Sequence, residues 1–178
     1  MKAGGGKAKG SSYEREIAKK LSLWLTAGKR NDCIWRTSNS GGQATVTKFD
    51  TQCGDLHAVR PEAQKFFDTF SLELKNYKAL DILTFQSKNF ILKKWWVQAS
   101  TDAKRANKIP LLIVRINRRG DWLIFSESVR NILIEDYLDI NKTMKYSSDG
   151  LNIISDLGNL WMKPLDFLFE CFYKDKFN

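Results

Sequence analysis

The stretch Phe70-Ser71-Leu72-Glu73-Leu74-Lys75-Asn76 constrains the fold of this chain more than any other. Phe70, Leu72 and Leu74 alternate with Ser71, Glu73 and Lys75. A strict period of two predicts a half-buried strand with one apolar and one polar face. On such a strand Glu73 and Lys75 project the same way, roughly 6–7 Å apart along the backbone. A carboxylate and an ammonium are then held side by side on a rigid element. Upstream, Gly54-Asp55-Leu56-His57-Ala58-Val59 predicts a second short strand opened by another carboxylate.

The 178 residues, 43% of them hydrophobic and 12% aromatic, are enough for one folded domain with a proper core. No apolar run approaches the roughly 18–20 residues of a membrane span, and the N-terminus lacks a signal-peptide core. Three cysteines at irregular spacing fit free thiols in a reducing compartment. The expectation is a soluble, cytoplasmic protein. Charge is unevenly spread: residues 1–125 carry a net +12 and residues 126–178 a net −3. A basic body with a mildly acidic tail points to a polyanionic partner, although part of such charge is ordinary solvated surface.

Residues 1–10, with Lys2, Lys7 and Lys9 among four glycines, read as a flexible basic arm. Ser11-Ser12 then predicts a helix through about Thr26, with Tyr13, Ile17, Leu21, Trp24 and Leu25 as its apolar stripe and Gly28 as its stop. Glu14 stands three residues after Ser11, the spacing of a capping box. It also borders the buried stripe, where a carboxylate needs a partner or a metal. Glu16 reads as solvated. An apolar segment around Cys33-Ile34-Trp35-Arg36 leads into Thr37-Ser38-Asn39-Ser40-Gly41-Gly42-Gln43. That loop is either an ordinary surface turn or an anion site built from backbone N–H groups and hydroxyls beside Arg36.

Residues 60–69 read as a link short enough for an antiparallel pair, which would set Asp55 beside Glu73. A helix is expected from about Lys88 to Asn107, its tryptophans in the core. Pro110–Ile116 and Asp121–Phe125 read as a β-hairpin about Arg118-Arg119-Gly120, with a helix from Ser126 to Leu138 after it. The segment from residue 139 either caps the core or meets a partner subunit. Cys53 and His57 are four apart, a spacing that matches no common zinc finger, and His57 is either a hydrogen-bonded histidine or a cleft residue.

Two acids and a lysine on neighbouring strands suit divalent-metal hydrolysis of a phosphodiester. Mg²⁺ takes oxygen ligands and keeps several waters, so two or three carboxylates with an open face suffice. Such an ion acidifies a bound water and neutralises phosphate, while Lys75 supplies positive charge where negative charge develops.

The order helix–strand–strand–helix–strand, with Asp55 and Glu73-Leu74-Lys75 at its centre, resembles the PD-(D/E)xK nucleases over about residues 11–125. The resemblance implies an α/β, restriction-endonuclease-like core: a central mixed β-sheet flanked by helices, here with an extra C-terminal segment. It implies a nuclease domain over 11–138 and an extension over 139–178. It also implies Mg²⁺, with Mn²⁺ able to substitute, bound by Asp55, Glu73 and the Leu74 carbonyl, with Glu14 completing the shell and Lys75 acting on the attacking water. Gly54 stands where the family has its proline.

Within that superfamily the chain is similar to archaeal-type Holliday junction resolvases, through Tyr13-Glu14-Arg15-Glu16, Arg36 and Ser40-Gly41-Gly42. That similarity makes Arg36, Ser40, Gly41 and Gly42 candidates for holding DNA at the scissile phosphate. The insert at 60–69 and the tail after 140 are additions to the compact resolvases. The expected protein is a Mg²⁺-dependent endonuclease on branched DNA, acting as a homodimer because symmetric cutting of two strands calls for two sites. The alternatives are a site-specific restriction- or phage-type endonuclease on the same core, and a non-catalytic basic nucleic-acid-binding module. In the module Glu73 and Lys75 would form only a surface ion pair.

Overall fold

Tyr13, Ile17, Leu21, Trp24 and Leu25 are all buried along α1 (Gly5–Leu25). The structure is a computed structural model that describes residues 5–37, 53–79, 91–127, 129, 151–155 and 158–171. The helix closes where Gly28, at φ 84°, donates its N–H to the Leu23 carbonyl at 2.6 Å. It opens earlier than the Ser-Ser pair predicts. Residues 5–10, expected in the arm, are helical, because each residue added to an anchored helix gains a hydrogen bond without a new nucleation cost. Ser11 therefore lies inside the helix, and the capping-box account of Glu14 falls with it.

Strands β1 (Ile34–Arg36) and β2 (Leu56–Ala58) form an antiparallel two-stranded ribbon, with Ile34 opposite Ala58 and Trp35 opposite His57. Residues 61–69 are not a plain link but helix α2 (Pro61–Thr69). Pro61 at its start has the backbone angle a first turn needs, and Ala63, Phe66 and Phe67 face the core at helical spacing. The helix carries the chain away from β2, so the expected antiparallel pairing of the Asp55 and Glu73 strands does not form.

The main sheet runs β3 (Phe70–Tyr77), β4 (Ile109–Ile116), β5 (Gly120–Ser126), β7 (Gly158–Pro164), β6 (Leu151–Ser155) in spatial order. β3 and β4 are parallel, joined by a crossover that contains α3 (Ile91–Arg105). The other neighbours are antiparallel, so the sheet is mixed. The β4–β5 hairpin turns where expected, with Arg118 and Gly120 at positive φ. Residues from the C-terminal segment extend this sheet: β7 pairs with β5, and Leu168 of the short helix α4 (Asp166–Cys171) enters the core. The Trp24 indole N–H bonds the Phe169 carbonyl at 3.2 Å, tying that segment to α1.

One face of the sheet, with Leu72, Leu74, Leu111, Ile113, Leu123 and Phe125, packs on α1 and α2. The other, with Leu112, Val114, Ile116 and Ile124, packs on Leu92, Trp96 and Ala99 of α3. β3 is thus covered on both sides rather than half-exposed: Ser71 and Glu73, expected at a wet face, are 3% and 4% exposed. No helix among the described residues is long and apolar enough to cross a membrane. This mixed α/β architecture is that of a restriction-endonuclease-like core.

Candidate active site

The outer edge of β3 is met by residues 53–55. The Asp55 N–H donates to the Leu72 carbonyl at 2.8 Å, and the Leu74 N–H donates to Asp55 Oδ2 at 2.7 Å. Backbone groups two residues apart on a strand point the same way, so the Leu74 carbonyl also faces the Asp55 edge. The approach requires Gly54. At φ 91° a side chain there would be strained, and its Cβ would lie 2.6 Å from the Leu72 carbonyl oxygen. Asp55 and Glu73-Leu74-Lys75 therefore meet, through a direct edge contact rather than through a paired strand.

On the α3 side of β3, Lys75 Nζ lies 2.5 Å from Glu73 Oε1. Gln98 of α3 donates through Nε2 to the same oxygen at 2.8 Å and accepts from Lys75 Nζ at 3.2 Å. This triangle is not a surface pair, because Glu73 is enclosed between β3 and α3. Burial, and then the charge of nearby Asp55, push Glu73 up to about 7 against the pull of Lys75. A buried carboxylate raised by a second carboxylate beside it is a setting that a cation would neutralise. With the Leu74 carbonyl the two acids form an all-oxygen donor set, which fits a hard divalent ion that keeps part of its water.

Glu14 and Arg36 form a separate pair: Arg36 Nε donates to Glu14 Oε2 at 2.8 Å. Among the described residues no three of His, Cys, Asp and Glu gather as a metal-binding group. Glu14 accordingly does not join Asp55 and Glu73 in one cluster, because Arg36 holds its carboxylate. The Cys53–His57 zinc spacing forms no such group either. His57 sits beside Thr37, whose Oγ1 is 3.4 Å from Nδ1, and burial pulls the imidazole below its usual range. Ser40, Gly41 and Gly42 lie outside the described residues.

Two participants escape sequence reasoning. Gln98 reaches the site over a crossover, and a lone polar residue on a helix carries no periodic signal that separates it from the solvated ones around it. Glu16 is not simply solvated: Arg115 grips its carboxylate at 2.6 and 2.7 Å and Asp121 at 2.7 and 2.9 Å, joining α1 to the β4–β5 hairpin.

A mixed sheet flanked by helices, with an acid at the edge of the strand that carries E-x-K, is the arrangement of the PD-(D/E)xK superfamily. The chain belongs to the family described as "Phage putative PDDEXK endonuclease", whose model matches residues 5–159. It is also similar to Protein D14 of Escherichia phage T5, 30% identical over 95 residues, which is 50% of this chain. The matched stretch spans 58% of that relative's length. No solved structure matches.

Proposed function

We propose that the chain is a Mg²⁺-dependent endodeoxyribonuclease selective for branched DNA, with the four-way junction as favoured substrate. The observation that carries the reading is the bond between Asp55 Oδ2 and the Leu74 N–H at 2.7 Å, which fastens one acid to the backbone between the other acid and the lysine. Asp55, Glu73 and the Leu74 carbonyl would hold the metal, with Mn²⁺ able to replace Mg²⁺. When bound, the ion acidifies a water and neutralises the scissile phosphate. Gln98 and Lys75 fix the Glu73 carboxylate, and Lys75 orients the attacking water and offsets charge gathering on the phosphate oxygens. Arg36, steadied by Glu14, precedes Ser40, Gly41 and Gly42 in the sequence, and these residues would hold the DNA backbone. The net +12 of residues 1–125 supplies the wider attraction. Two copies related by a twofold would cut the two strands of a junction.

A second reading, a phage-type endonuclease acting on linear duplex at fixed sites, draws support from the phage family that matches residues 5–159. Incubation with linear, nicked and four-way DNA in Mg²⁺ or EDTA separates the two. Metal-dependent cutting confined to the four-way form is expected; cutting of linear duplex at fixed positions would select the second reading. Asp55→Asn and Glu73→Gln are expected to abolish cleavage while DNA binding persists. Binding without metal-dependent cleavage by the wild type would overturn both.

A further inference from the structure

We propose that Trp35 is a stacking platform for an unpaired DNA base beside the scissile phosphate; the inference rests on the nuclease reading and narrows its substrate. Trp35 is 62% exposed, more than any other large hydrophobic residue among those described. Ile34 on the same strand is buried, so β1 commits its other face to solvent and holds the indole there.

The face that presents Trp35 also leads to Asp55. Trp35 is opposite His57 in the ribbon, and the Thr37 N–H donates to the Asp55 carbonyl at 2.8 Å. Alternation places Trp35, His57, Thr37 and Asp55 on one face, and the Thr37–His57 contact at 3.4 Å agrees. Thr37 follows directly on β1, two residues or about 6.5–7 Å of extended chain from Trp35.

The surroundings select the occupant. The exposed indole, with the half-buried His57 imidazole opposite it, offers a base a flat face and a hydrogen-bonding group at its rim. The basic charge of residues 1–125 favours the same polyanion. Inside a duplex both faces of a base are already stacked, so the platform needs a base that is splayed out. Bulges, gaps and branch points supply one.

The test is equilibrium binding of the full chain in EDTA to a labelled duplex with one thymine bulge and to the same duplex with an abasic bulge. Wild type is expected to bind the thymine bulge about tenfold more tightly. Trp35→Ala should erase that preference and Trp35→Phe should keep most of it, both with unchanged circular dichroism. Equal wild-type affinity for the two bulges overturns the proposal, as does an intact preference in Trp35→Ala. A change of mass in Trp35→Ala with the preference retained marks a subunit contact instead, and also overturns it. Cleavage of a four-way junction in Mg²⁺, assayed alongside, separates the two readings. Base preference without cleavage overturns the nuclease reading alone, and cleavage without base preference overturns the platform alone.

Discussion

Asp55 is bonded to β3 twice, through its own N–H to Leu72 at 2.8 Å and through Oδ2 to the Leu74 N–H at 2.7 Å. The carboxylate is set by backbone geometry more than by a free side-chain rotamer. Glu73 is set differently, by Lys75 and by Gln98 from across the crossover. One acid thus depends on the strand edge and the other on α3, and substitutions should disturb them separately.

Gly54→Ala tests the strand edge. The added Cβ meets the Leu72 carbonyl oxygen at 2.6 Å from a backbone at φ 91°. A stability loss of about 1–3 kcal/mol is expected in urea melts. Cleavage should fall further than the folded fraction does, because Asp55 shifts with its neighbour.

Gln98→Ala tests the helix side. It leaves all three proposed ligands in place but frees the Glu73 carboxylate on one side. Single-turnover cleavage is expected to slow about 10–100-fold. DNA affinity in EDTA should be nearly unchanged, and a large loss of affinity would show that Gln98 touches DNA instead.

Glu73 gives a pH signature in metal-free protein. Its folded value of about 7 lies above the ordinary 4.5, so the folded state keeps a proton that the unfolded state releases. The group's contribution is intact below pH 4.5 and is lost as pH rises through about 7. Glu73→Gln mimics the protonated form. Thermal melts in EDTA should give similar midpoints for variant and wild type near pH 4.5 and a higher midpoint for the variant near pH 8. Adding Mg²⁺ near pH 8 should raise the wild type and leave the variant where it was.

The Arg115 cluster gives the opposite sign. The Arg115 hydrogen bonds hold Glu16 down at about 2. For Asp121, burial raises the carboxyl, but Arg115 and Lys20 outweigh it and the net shift is downward. Both contributions are present near neutrality and fade as pH falls from the ordinary carboxyl range towards 2. Arg115→Met should flatten that acid limb and cost about 1–3 kcal/mol near pH 7, since half-buried Asp121 loses its two-pronged partner and keeps Lys20 as its cation. Glu16→Gln, at an exposed position, should cost less than about 1 kcal/mol in the same denaturant melts.

The central strand, its E-x-K and the upstream acid are legible in the sequence because alternation and residue type are local signals. Gly28 and the β4–β5 hairpin are legible for the same reason. What escapes is non-local. Alternation on β3 cannot reveal that α3 covers the polar face, so Glu73 reads as wet when it is buried. Pro61 followed by Ala63, Phe66 and Phe67 does signal α2, but nine residues between two expected strands invite a link instead. Whether Glu14 serves a cap, an arginine or an ion depends on where Arg36 folds back. Strand β7 sits in a segment rich in Leu, Phe and Trp, where periodicity has no contrast.

The parallel pairing of β3 with β4 bears on how the protein comes to life. Residues 53–55, β3 and α3 must all be in place before both acids are positioned, and strands aligned this way cannot zip up from a tight turn. On the proposed nuclease reading, recovery of catalysis after dilution from denaturant should trail recovery of helical signal, and a freshly made chain would spare nucleic acid until its last long-range contact has closed.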